Sequence, residues 1–443
     1  MVNEDSSSHW RGGQGPCHRR CAGHAGQRLL VLPSSSSGDG GNVTIRFTWW
    51  GNDLRNKQTQ QVIDAFQASH PNITVKAEPG VWSSYWDKLA TTTAANDSPD
   101  VIQMDQAYIA EYGGRGALLD LSKQGNVDTS KIDQDALKSG QVSGKQYGLS
   151  TGQNAKAVMI NTKMFQDYGV PIPDDKTWTW DDYARTAAQI AAAAGKAGQT
   201  NYGSSYSLTD SDLNTWAMQH GESLYSADGG LGFDEGTAAS FFQNVLNLRN
   251  KGAAPPANIA TEDISAPVEQ TLFATGKTAM SWWWTNQVNA LQSALKTEVK
   301  ILRAPSSTGS AKDNGMSYKP SMFWSVSSRS KHPKEAAEVV NYMLNNLDAA
   351  KTILTERGFP TNSEVQTAID PLLTPADKAA AAFLKDIKPD LKSGPPVPPT
   401  GSSGVQALIQ RYSTDVLFDR KSPSDAAKGL MQEAKGMIDS ARK

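Results

Sequence analysis

Cysteine is almost missing from this chain of 443 residues. There are two, Cys17 and Cys21 in the run CHRRC, and none from Thr44 to Lys443. Such avoidance suits export to an oxidising compartment without requiring it. The pair beside His18 invites a metal reading. The surrounding Gly, Arg and Ser show no periodicity, however, and the expectation is no metal and no cofactor. Histidine is scarce too: His9, His18, His24, His70, His220 and His332, so histidine-based catalysis is poorly supplied. No H-E-x-x-H segment and no phosphate-binding P-loop occurs. Neither charge sign dominates, with 43 Lys+Arg against 45 Asp+Glu and a net charge of −2. A basic field for nucleic acid is therefore absent. No apolar run approaches the roughly 18 residues of a membrane span.

What the chain has in number is tryptophan, 12 residues. Three are consecutive, Trp282, Trp283 and Trp284, in the stretch VEQTLFATGKTAMSWWWTNQVN from Val268 to Asn289. Val268, Leu272 and Phe273 share one face at helical spacing, and Gly276 supplies a left-handed stop. A helix followed by an extended segment from Thr278 is expected. Alternation on a strand sends Trp283 away from its two neighbours.

The order of elements is that of an α/β protein. Val43, Ile45, Phe47 and Trp49 alternate as a first strand. Asn52 or Asp53 caps a helix with Thr59, Val62, Ile63 and Phe66 on one face, ended by His70-Pro71. Ile73, Val75 and Ala77 form a second strand, which makes a βαβ unit and a parallel sheet. Pro99 to Asp105 is a third strand, and a short helix from Gln106 to Tyr112 follows it. Ala157 to Asn161 is a buried strand. Thr179 and Asp182 form a capping pair for an Ala-rich helix. Pro333 opens a helix at a position where its missing N–H costs nothing. At roughly 100–200 residues per domain, the length suggests two or three lobes.

Several of these segments also resemble family 1 extracellular solute-binding proteins of ABC transporters, which include the maltose-binding and glycerol-phosphate-binding proteins. The carrying residues are the first strand with its Trp and following helix, Pro99-Asp100-Val101, Leu118 to Leu121, Asn161 to Trp178, Phe273 to Met280, and Tyr342 to Asn362. Together they cover roughly residues 42 to 362. The resemblance implies a type 2, two-lobe periplasmic-binding-protein (Venus-flytrap) fold with the ligand in a cleft between lobes. It implies a monomer without catalytic activity that passes an oligosaccharide to ABC permease subunits. A non-sugar solute such as a polyamine or ferric ion, or a carbohydrate-active enzyme, are the alternatives. The lobes are expected at 42–152 plus 285–329 and at 153–284 plus 330–443. Crossings are expected near 150–154, 281–286 and 326–332. Residues 1–41 are expected to be a disordered leader. Ser34 to Gly41 reads as the tether of a lipoprotein held at the outer face of the membrane. The apolar signal and its cysteine are not intact before that tether, and residues 1–33 read as a mis-started copy of one.

Sugar recognition needs flat apolar faces for C–H surfaces and planar polar groups for hydroxyls. Groups just after the expected strands meet that need: Trp49, Trp50 and Asn52; Trp82; Asp105, Gln106 and Tyr108; Gln153 and Asn154; Trp283 and Trp284; Tyr318 and Trp324. Trp216, on a helix, and Arg357, before a Gly358 turn, complete the set. The bland reading of any one tryptophan is core packing, and it is the stronger one for Trp178 and Trp180. Asp105 equally suits a helix cap. The opening W-W-G-x-x-x-R is similar to family members that take up pectin-derived oligouronides. Arg55, Arg115 and Arg357 are the candidate partners for a uronate.

Overall fold

The computed structural model describes residues 41–391, 394 and 396–441. The expected leader, with Cys17, Cys21 and Leu29 to Leu32, lies outside the described residues. Twelve strands are described: β1 (Val43–Trp50), β2 (Ile73–Gly80), β3 (Val101–Met104), β4 (Gln141–Val142), β5 (Lys145–Gln146), β6 (Leu149–Ser150), β7 (Gln153–Asn161), β8 (Tyr202–Ser204), β9 (Thr278–Trp284), β10 (Val299–Leu302), β11 (Tyr318–Pro320) and β12 (Phe323–Val326). They build two main sheets. The first has the order β2-β1-β3-β12-β6, and the second β10-β7-β9-β8 with β11 beside β7. No described helix is long and apolar enough to cross a membrane.

The first sheet opens as expected from its alternation. β1 pairs in parallel with β2 and β3. Ile45, Phe47 and Trp49 are fully buried in one cluster with Val62, Ile63 and Phe66 of the helix Asp53–Ser69. Asn52 caps that helix by accepting from the Arg55 N–H at 2.9 Å. In the second sheet, β7 pairs antiparallel with both β10 and β9. The Ala-rich helix Trp180–Lys196 carries the Thr179–Asp182 capping box and covers one face of this sheet.

The stretch before the tryptophans departs from expectation. Val268–Gln270 is a single 3₁₀ turn rather than the start of an α-helix. Two side chains compete for the backbone there. Asp263 Oδ1 accepts from the Leu272 N–H at 2.6 Å, and Thr271 Oγ1 accepts from the Ala274 N–H at 3.3 Å. Local side-chain acceptors of this kind offer the chain an alternative to the helical ladder. Gly276 does take the left-handed conformation, at φ 72.

The chain passes between the sheets where β6 hands over to β7, at Thr151-Gly152, and where β11 hands over to β12, at Ser321-Met322. Both passages are fastened to one atom. The Arg357 carbonyl accepts from Thr151 Oγ1 at 3.1 Å and from Ser321 Oγ. A Cβ on Gly152 would sit 2.5 Å from that same oxygen, so only glycine fits. The other two expected crossings are not where the chain passes. After Trp284 it stays with the second sheet, since Val288 and Leu291 pack under β10, which pairs with β7 rather than with the first lobe. After β12 it stays with the first sheet, where Ala336, Val339 and Val340 of the helix Pro333–Asn345 join the Phe47 cluster. It leaves only beyond Leu373, which packs with Ala350 and Ile369, for the helix Pro375–Ile387, whose Phe383 and Leu384 pack under β10.

Candidate functional site

The C-terminal ends of parallel strands are where α/β sheets keep their sites. β1 and β3 deliver Trp50 and Asp105 to that edge of the first sheet, and the helix Gln106–Gly114 begins there. From the second sheet come Lys156 on β7, Trp284 at the end of β9, and Tyr318 and Lys319 on β11. Gln106, Lys156, Asp210, Trp284 and Lys319 line one cavity of about 60 Å³, together with Pro396 and Pro398 from a loop near the C terminus. Residues of both sheets therefore meet in one cleft.

Trp284 is its central group. The Lys156 ammonium stands 5.7 Å from the ring centroid and that of Lys319 stands 5.2 Å away. Such spacing lies within the range of cation–π attraction. The two cations are held differently. Lys156 Nζ is saturated: it donates to Ser207 Oγ, to Thr209 Oγ1 at 2.7 Å and to Asp212 Oδ2 at 3.2 Å. Lys319 has no hydrogen bond or ion pair among the described residues. Burial opposes its charge, but the Asp105 and Asp210 carboxylates outweigh that and hold its pKa above the ordinary lysine value. Asp105 also caps its helix, accepting from the Ala107 N–H at 2.9 Å, as the alternative reading of that residue expected.

A second aromatic group flanks the cleft on the first-sheet side. Trp50 lies edge-on to Trp82 at 5.1 Å and to Tyr85 at 5.2 Å, and Trp86 stacks on Tyr108 at 3.7 Å. Of these, Trp82 is 49% exposed and offers an open ring face.

The remaining candidates are placed elsewhere. Trp49 and Trp324 are core residues at 0% and 1% exposure, and the Trp49 indole N–H donates to Asn56. Trp216 donates to Ser240 Oγ and packs on Trp180. Asn52 serves as a helix cap on the surface. The Gln153 backbone pairs with Phe359, and Asn154 is buried against Thr285. Trp283 lines a different cavity of about 240 Å³ that also touches Trp284. None of the three arginines reaches the cleft. Arg357 is 2% exposed, stacks on Trp324, and donates to Gln103 and Thr59. Arg55 pairs with Glu356, and Arg115 with Glu111. The sequence reading missed Lys156 and Lys319. Lys156 did leave a trace, as the lone charge in the strand QNAKAVMIN, whose other residues are buried apart from Gln153.

One catalytic spacing passed over in the sequence is Gly148-Leu149-Ser150-Thr151-Gly152, a G-x-S-x-G. A nucleophile elbow presents its serine on an exposed strand-to-helix turn. Here Ser150 is fully buried on a strand pair, and its hydroxyl donates to the Gly152 carbonyl at 2.8 Å.

Comparison with known proteins agrees with this geometry. A Brucella abortus binding protein is 26% identical over 422 residues, covering 93% of this chain and 96% of the relative. A family 1 extracellular solute-binding protein of Alicyclobacillus acidocaldarius shares 28% identity with a TM-score of 0.69, over 90% of this chain and 99% of that one. A periplasmic oligogalacturonide binding protein of Yersinia enterocolitica, solved with digalacturonic acid, superposes with a TM-score of 0.79 at 20% identity, over 90% of this chain and 100% of that one. The fold is thus the two-lobe α/β fold of periplasmic solute-binding proteins. The family model described as bacterial extracellular solute-binding protein matches residues 52–349, and the chain belongs to that family.

Proposed function

We propose that the protein is the extracytoplasmic, lipid-anchored binding component of an ABC importer, and that it captures an oligosaccharide without transforming it. The observation that carries the reading is Trp284, an indole with ammonium groups 5.7 and 5.2 Å from its ring centroid, in the cleft shared by the two sheets. Its flat face suits the C–H side of a sugar ring, and the cleft around it supplies donors and acceptors for hydroxyls. The described residues hold no cluster of three or more metal-ligating side chains suited to ferric ion. The cavity of about 60 Å³ is well below the roughly 300–1,000 Å³ of ligand pockets. Entry therefore needs the lobes to part about the passages at 151–152, 321–322 and near 374, a hinge motion of the kind such proteins use. The test is a thermal-shift screen over neutral and uronic oligosaccharides. A ligand at about 100 times its Kd stabilises by roughly 2.7 kcal/mol. Every hit should also shrink the scattering radius and be recovered intact by chromatography. Shortened sugar beyond one mole per mole of protein would make the protein an enzyme.

Lys319, which has no hydrogen bond or ion pair among the described residues, favours a carboxylate-bearing sugar over a neutral one. A hydrogen bond to a charged group contributes about 1.5–3 kcal/mol. Lys319→Met is accordingly expected to weaken uronide binding by roughly tenfold or more and to change neutral oligosaccharides little. Equal losses for both classes, measured by titration calorimetry, would remove the argument for a uronide.

A further inference from the structure

The cleft has a wall that belongs to neither sheet. After the helix Pro375–Ile387, Leu391 packs against the Phe383 cluster under β10, on the second lobe. Gly401 is on that lobe again. There φ is 86, and a Cβ would sit 2.7 Å from the Met437 carbonyl of the helix Pro423–Ala441, so glycine is required. Val405 then enters the core with Leu430 and Ile438 of that helix. Between these two anchors, Val397 packs on the aromatic cluster of the first lobe, which holds Trp50, Tyr85, Met104 and Phe323. Pro396 and Pro398, on either side of it, line the cleft with Gln106, Trp284 and Lys319.

This segment is stiff. Proline fixes its own φ near −65° and holds the residue before it extended. Pro396, Pro398 and Pro399 therefore set the path on both sides of Val397. Little chain entropy is lost when Val397 takes its seat, because the prolines have already removed it. Both anchors stand on the second lobe, and the seat stands on the first. When the lobes part about the passages at 151–152, 321–322 and near 374, anchors and seat move with different lobes. Val397 then has to leave the aromatic cluster.

We propose that Pro396–Pro398 is a strap that holds the unliganded lobes together and lifts to admit ligand, with Val397 as its catch. The inference rests on the cleft being the binding site and not on which solute enters it. Val397 is thereby a positioning residue for capture. A side chain that only touched the ligand would change how fast solute leaves. A catch changes how fast it enters and leaves alike, because both need the strap lifted.

The first test uses the full chain without ligand. Val397→Asp places a charge in an apolar seat and should shift the balance toward parted lobes by roughly a hundredfold. Small-angle scattering should then give a larger radius than for wild type. Ser403→Asp puts the same charge on an exposed position of the same loop and should leave the radius unchanged. A radius for Val397→Asp equal to that of wild type overturns the strap, and so does an equal increase in Ser403→Asp. Val397→Ala carries the second test, and carries the first as well should Val397→Asp fail to fold. It removes two methyl groups from a half-buried side chain, roughly fourfold in an equilibrium. With digalacturonate as the probe, it should raise the association and dissociation rates together by about that factor and leave Kd within about twofold. Faster dissociation with an unchanged association rate would make Val397 a ligand contact and overturn the strap. If neither digalacturonate nor any malto-oligosaccharide binds wild type, the saccharide reading falls, and the scattering comparison still decides this inference.

Discussion

Replacing Arg303 by alanine is expected to destabilise the second lobe by about 3 kcal/mol, the lower end of the range for removing one partner of a buried ion network. Arg303 is 2% exposed at the end of β10. Its guanidinium donates to Asp175 at 3.1 Å, to Asp386 at 2.7 Å and to Asp390 at 3.1 Å. One side chain thus joins the loop before the Ala-rich helix to the helix Pro375–Ile387 and the turn after it. Alanine would leave three carboxylates facing one another around a void. Asp175 and Asp390 are both 17% exposed and would feel most of that repulsion. Asp386 is 53% exposed, so water screens its share, which is why the lower figure is chosen. The pH dependence has a definite sign. The hydrogen bond from Arg303 holds the Asp386 carboxyl below its ordinary value, and burial opposes this. A carboxyl lowered in the folded state contributes stability above its unfolded pKa, and that contribution fades as pH falls through the folded value. Wild type should therefore weaken as pH falls below the ordinary aspartate value of 3.8, and the variant should weaken less, because protonation there relieves repulsion. Urea unfolding followed at neutral pH and below the ordinary aspartate value of 3.8 reads both effects. A loss under about 1 kcal/mol at neutral pH would show that the network contributes no more than exposed pairs do.

The parts of this fold legible in the sequence are those set by neighbours along the chain. Period-two alternation located β1 and its inward residues Ile45, Phe47 and Trp49. The stripe Thr59, Val62, Ile63 and Phe66 located the helix that covers them. The capping pair Thr179–Asp182 was readable for the same reason. The passages at Thr151-Gly152 and Ser321-Met322 fall at strand ends, the first within a region marked by turn residues. The third passage joins two helices near residue 374 and has no such mark, so the expected lobes misassigned both β10 and the helix Pro333–Asn345. Burial across the fold was illegible altogether. Nothing local distinguishes Trp324, which lies under Arg357, from Trp284, which lies in the cleft. Arg357 looked available because it precedes a glycine turn. Its partners Gln103 and Thr59 are 254 and 298 residues away, and no periodicity reports such distances. Lys319 was missed for the same reason, since its significance comes from Asp105 on the opposite sheet.

Trp284→Ala is expected to weaken oligosaccharide binding by roughly 2–3 kcal/mol, about 30- to 150-fold, the scale of a central aromatic anchor. The loss has two sources. The ring face that a sugar would cover is gone, and with it rigid aromatic area that binds at little cost in ordering entropy. The two ammonium groups also lose the indole near them, which leaves Asp105 and Asp210 as the charges that stabilise Lys319. Folding should suffer less than binding. Trp284 is the last residue of β9 and half-buried, and Lys156 keeps its ion pair with Asp212 at 3.1 Å. Trp284→Phe retains a smaller face and should recover most of the affinity, to within about tenfold of wild type. Trp216→Ala serves as the contrast. That indole is committed to Ser240 and Trp180 away from the cleft, so its removal should lower the unfolding temperature and leave Kd within about threefold. Titration calorimetry and thermal unfolding on the three variants separate the roles. If Trp284→Ala binds as wild type does while Trp216→Ala does not, the ligand lies within the second lobe near Trp216 rather than in the cleft between the sheets.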